Sequence, residues 1–77
     1  MKTNKTPFLT APPIITISAR DSVKIENISG VKGFNSDSIS INIQGGVIII
    51  EGDSLEIGYM EEGLVLVHGK IRSVSFA

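Results

Sequence analysis

Two short segments follow the same grammar: Gly46-Val47-Ile48-Ile49-Ile50-Glu51-Gly52 and Gly63-Leu64-Val65-Leu66-Val67-His68-Gly69. Each is a glycine, four aliphatics, one polar residue and a second glycine, and matching positions lie 17 residues apart. The match runs on past the second glycine, because Ile57 aligns with Val74 and Tyr59 with Phe76. A short aliphatic run bounded by turn-forming residues is the signature of a strand, and one apolar on both faces belongs at the centre of a sheet. The unit therefore constrains the fold strongly. It carries little chemistry, since its only polar positions are Glu51 and His68.

The rest of the chain extends the β pattern. Ile15 and Ile17 alternate with Thr16 and Ser18, and Val23 and Ile25 with Lys24 and Glu26. Alternation of this kind predicts half-buried strands. Asn27 predicts a bend, because Asn tolerates φ > 0. Ile28, Val31 and Phe34 fall out of phase around Gly30 and Gly33, which predicts a bulge or a bend. Asn35-Ser36-Asp37-Ser38 is a turn, and Ile39, Ile41 and Ile43 form the cleanest aliphatic face in the chain. Gly45-Gly46 marks a hairpin. Further turns are expected at Glu51–Ser54, Glu61–Gly63 and Gly69–Lys70, with one short helical turn allowed near Met60. Ser22–Asn27 with Ile28–Phe34 resembles a third, more polar copy of the doubled unit. Pro7, Pro12 and Pro13 set residues 1–13 apart as an arm ahead of a single domain, 14–77. Phe8 and Leu9 are candidates to dock on that domain.

These elements predict an all-β fold, a small antiparallel sandwich of seven or eight short strands without significant helix. The expected core is Ile15, Ile17, Val23, Ile25, Phe34, Ile39, Ile41, Ile43, Val47, Ile49, Leu55, Ile57, Leu64, Leu66, Ile71, Val74 and Phe76.

Size and composition narrow the function. A chain of 77 residues holds one domain and buries only about 60% of its unfolded surface, so outside support is expected. There is no Cys, which excludes disulfides, and one His cannot build a zinc site without carboxylate partners. Seven Lys and Arg stand against eight Asp and Glu, which argues against a nucleic-acid binder. No apolar run approaches the roughly 20 residues of a membrane-spanning helix. The first residues lack the apolar stretch of a signal peptide. Two glycosylation sequons, at Asn4 and Asn27, are without a secretion signal to give them meaning.

The candidate chemistry is thin. His68 could act as a general base or pH sensor, but no motif ties it to a hydroxyl or carboxylate. Glu51, Asp53, Glu56, Glu61 and Glu62 fall in turns or at polar strand positions, where charge is simply solvated. Gly45-Gly46 lacks the strand–turn–helix setting of a phosphate loop. Arg20, Lys24, Lys32, Lys70 and Arg72 are scattered, with no interleaved aromatics to stack bases. No catalytic, cofactor-binding or metal residue is assigned, and no cofactor is expected. Short, lightly charged strands protect their edges poorly, so an edge or an aliphatic face is expected to be covered by a protein partner or a second copy.

The order of these strands carries a resemblance. Ile15-Thr16-Ile17-Ser18-Ala19-Arg20, then Val23 through Asn27 to Val31, then Phe34 and Ile39–Ile43 resemble the YabP/YqfC family of endospore-formation proteins. So do Gly46–Ile57 and the closing Gly69-Lys70-Ile71 with Phe76. The resemblance covers roughly residues 12–77 and is closest to the YqfC branch. It departs in two places: Ala19 stands where a glycine is common, and the segment ahead of the first strand is short. The resemblance implies a non-enzymatic β-domain that acts in the mother-cell cytoplasm. It also implies a role as an assembly or adaptor protein beside a membrane protein of the YqfD type. The alternatives are a module binding small ligands or oligosaccharides, and a hydrolase built around His68.

Overall fold

The structure, a computed structural model, describes residues 11–77. The arm expected over residues 1–13, with Phe8 and Leu9, lies largely outside the described residues. Among those described, the chain forms six strands and no helix: β1 Ile14–Ser18, β2 Ser22–Glu26, β3 Gly30–Phe34, β4 Ser38–Ile43, β5 Gly46–Glu61 and β6 Leu64–Phe76. They make one antiparallel sheet in the order β1-β2-β6-β5-β4-β3.

This corrects the expected seven or eight short strands in a sandwich. The polar stretches Glu51–Ser54 and Gly69–Lys70 do not reverse the chain. Pairing continues through them, with Glu51 opposite Ser73, Gly52 opposite Ile71 and Asp53 opposite Lys70. Register shifts between Glu51 and Gly52 and between Asp53 and Glu56 mark bulges, which bend a strand and sharpen its twist. Two pairs of short strands thus become two long ones. Near Met60, where a helical turn was allowed, β5 simply continues. Of the bulge or bend expected around Gly30 and Gly33, the structure shows a register shift between Val31 and Gly33.

The predicted turns elsewhere are found. Asn27 has φ 65° and ends β2. Asn35 closes its turn by accepting hydrogen bonds at Oδ1 from the amides of Asp37, 2.8 Å, and Ser38, 2.9 Å. Gly45, at φ 90°, makes the hairpin between Ile43 and Gly46.

The core is wholly aliphatic: Val23, Ile25, Ile39, Ile41, Ile48, Ile50, Leu55, Val65 and Val67. A flat single sheet could not close off one face to this degree. The cover is the sheet itself, bent across the middle of β5 and β6. On one side lie β3, β4, the start of β5 and the end of β6; on the other lie β1, β2, the start of β6 and the end of β5. Inside the doubled unit the expected phase is reversed, because Ile48, Ile50, Val65 and Val67 point inward while Val47, Ile49, Leu64 and Leu66 are only half-buried. An all-apolar run has no alternation to set its phase. Its neighbours set it: Ile39 pairs with Ile50, Ile41 with Ile48, Val23 with Val67 and Ile25 with Val65. Ile17, Phe34 and Phe76, expected in the core, are 53%, 54% and 66% exposed at edges and strand ends.

The repeat is realised as an approximate two-fold relation. A shift of 17 residues carries Ile50 opposite Val74 onto Val67 opposite Ile57, and Glu51 opposite Ser73 onto His68 opposite Glu56. The pair Asp53–Lys70 maps onto itself. The shorter strands obey the same relation, with β4 matching β2: the Gly52 amide donates to Asp37 O at 3.0 Å, and the Gly69 amide to Asp21 O at 3.1 Å. The third copy expected at Ser22–Phe34 is therefore not a long strand like β5 and β6. Asn27 breaks it, and its first part is the counterpart of β4.

Candidate functional site

His68 ends the buried part of β6 on the outer face of the sheet, exposed, between Ser22 of β2 and Glu56 of β5. Its ring lies over Gly58, where any Cβ would collide with Cδ2 and Nε2. Asp21, Asp53, Ser54 and Lys70 surround it in a shallow, open depression. Among the described residues no side-chain hydrogen bond joins the imidazole to a carboxylate or hydroxyl.

The acidic candidates Glu51 and Asp53 are taken up by other partners. Asp53 pairs with Arg72 at 3.0 Å between largely exposed side chains, an interaction worth at most about 1 kcal/mol. Glu51 accepts from Ser73 Oγ at 3.2 Å. Among the described residues no three His, Cys, Asp or Glu side chains gather in a way that could hold a metal ion. Gly45-Gly46 is a hairpin turn. Of the basic residues, Arg72 is engaged with Asp53.

Glu61 accepts a hydrogen bond of 2.6 Å from the Tyr59 hydroxyl. That bond, with the repulsion a phenolate would meet beside the carboxylate, raises the Tyr59 pKa above its ordinary value. Tyr59 is the only tyrosine and there is no tryptophan. Ultraviolet absorbance should therefore follow it alone, titrating above the usual value of about 10. Glu61→Gln should bring it back down; an unchanged titration would show that the carboxylate is not the cause.

A second concavity lies at one end of the sheet. The link from β2 to β3 crosses there to reach the opposite edge, and the β5–β6 turn sits beside it. Gly63 O accepts from the amides of Asn27, 2.7 Å, and Ile28, 3.2 Å, which ties the two loops together. Ile28, Val31, Met60 and Leu64 supply its apolar surface, while Glu26, Glu61 and Glu62 stand along it. Asn27 Nδ2 donates to Pro12 O at 2.8 Å and fixes the entry of the chain nearby. Sequence reasoning singled out Glu61 and Glu62 but missed their meeting with Glu26, Ile28 and Val31. The crossover brings these together from about 30 residues apart, and no local pattern announces it. The one available signal was Asn27, the bend that starts the crossover.

The described residues thus define a small all-β domain with an aliphatic core and no buried polar side chain. The chain belongs to the YabP family, whose sequence model matches residues 10–77. The comparison with curated proteins finds no match. Membership of this family points to a sporulation-associated protein. No helix among the described residues is long and apolar enough to cross a membrane.

Proposed function

We propose that this chain is a non-catalytic assembly or adaptor protein of endospore formation, working in the mother cell through protein–protein contacts. The observation that carries this reading is the family match over nearly the whole chain. Its resemblance to the YqfC branch suggests a membrane protein of the YqfD type as partner, which would hold the domain at a membrane it does not itself enter.

The surface is compatible with such a role. Ile14, Phe34, Tyr59, Met60 and Phe76 are each at least half exposed, and among the described strands β1 and β3 are the two outermost of the sheet. An added strand or a second copy could use either edge. The ligand-binding alternative would use the groove beside the β5–β6 turn.

The test is genetic and biochemical. Deleting the gene in the source organism should sharply lower the yield of heat-resistant spores, and the tagged chain should co-purify a YqfD-type protein from sporulating cells. Normal spore yield, or a source that forms no spores, would remove the sporulation role. Loss of spores without the co-purified protein would remove only that partner.

A further inference from the structure

We infer that the groove between the β2–β3 crossover and the β5–β6 turn receives a basic peptide segment of a partner protein, anchored by one or two large apolar side chains. This rests on the reading of the chain as a protein-contact module and names the chemistry of the contact.

Three observations carry it. The first is charge. Three of the chain's eight carboxylates, Glu26, Glu61 and Glu62, line this groove, and among the described residues no Lys or Arg does. Without a cation of its own among the lining residues, the groove complements a basic occupant and opposes an acidic one. The second is the apolar surface between those charges. Met60 is 55% exposed, and Ile28, Val31 and Leu64 are only half-buried, so each has area left to cover. Met adapts its shape to different occupants, which suits a peptide-binding surface. The third is size. At about 1130 Å³ the groove exceeds the roughly 300–1,000 Å³ usual for small-molecule pockets. Glu61 and Glu62 along it are exposed to solvent. A chain segment fits that shape better than an enclosed small ligand does.

The loops that form the groove are braced. The bonds from Asn27 and Ile28 to Gly63 O hold the two walls together, and pairing of Glu61 with Leu64 closes the turn. An occupant therefore meets walls already in place, which lowers the cost of ordering on binding.

The probe is a synthetic hexapeptide with Leu-Phe flanked by two lysines on each side, titrated into the full isotope-labelled chain and followed by amide resonances. Shifts should centre on Ile28, Val31, Met60 and Leu64. The double variant Glu61→Gln/Glu62→Gln, which changes only exposed side chains, should bind about tenfold more weakly. Raising salt from about 0.05 to about 0.5 M should weaken binding of the parent chain more than that of the variant, which keeps only Glu26 of the three carboxylates. Equal binding of a peptide with glutamates in place of the lysines would overturn the inference. So would shifts confined to the β1 or β3 edge, or no shifts at all. Two further outcomes would assign the groove elsewhere and overturn it equally. Concentration-dependent broadening of the same amides without peptide would mean a second copy. Binding that appears only after Phe8→Ser/Leu9→Ser would mean the chain's own first residues. A chain needed for spore formation whose groove ignores the basic peptide keeps the adaptor reading and loses this one.

Discussion

Gly52→Ala should come close to unfolding the domain, although it adds a single methyl group. Gly52 sits at the bend of β5, opposite Ile71, with its amide donating to Asp37 O. A Cβ there would run into the backbone carbonyl of Lys70 and stand 3.1 Å from Leu55 Cδ2. The obstacle is main chain in a paired strand, so it cannot rotate away as a side chain would. Overpacking of this kind typically costs about 1–3 kcal/mol, and a backbone collision belongs at or above the top of that range. A domain of this length has roughly 4–12 kcal/mol of stability in all. Thermal unfolding followed by circular dichroism should show a fall of about 15 °C or more, taking about 4–8 °C per kcal/mol for small domains. Gly33→Ala is the control, because nothing lies within 4 Å of the added atom. It should change stability by no more than about 0.5 kcal/mol, as at ordinary surface positions. Equal shifts in the two variants would show that the close approach at Gly52 does not exist in solution.

The second large effect tests the phase of the doubled unit. Ile50→Ala should cost roughly 2–5 kcal/mol, since Ile50 is 0% exposed among Ile39, Val74 and the rest of the core. Ile49→Ala, one residue earlier on the outer face, should cost less than about 2 kcal/mol because its side chain is only half-buried. The urea midpoint should fall far more for Ile50→Ala, with the slope unchanged if both variants unfold in one step. A larger loss at Ile49 would restore the phase that alternation alone suggests and refute the register between β4 and β5.

That pair also shows where the sequence was legible. Ile39 and Ile41 were read correctly because polar residues alternate with them and declare the inner face. Val47–Ile50 offers no such contrast, so its phase waits on which residue pairs with Ile39. The class of fold, the hairpin at Gly45 and the bend at Asn27 all followed from residues adjacent in sequence. The strand count did not. At Glu51–Ser54 polarity and glycine mimic a turn, whereas the chain uses the same residues to bulge and bend without reversing. Phe34 and Phe76 were expected inside on hydrophobicity alone, yet both fall where the sheet ends and little is left to cover them. As for function, the sequence places His68 at the end of an aliphatic run, and the structure places it exposed at that point of β6. The acidic, apolar groove was not legible, because it exists only once the crossover has placed Glu26 and Ile28 beside Glu61.

The long strands have a consequence for how the domain comes apart. β5 and β6 each begin on one side of the core and finish on the other. Neither side is a separable unit, since peeling one away strips pairing from both long strands and exposes the core of the other. Such a molecule has no internal boundary along which it could melt in stages, so its central strands share one fate. Among the described strands, only β1 and β3 are paired along a single edge, which gives them the freedom to open by themselves. Local opening is thus confined to the margins, leaving the rim available for exchange with a partner while the centre stays closed.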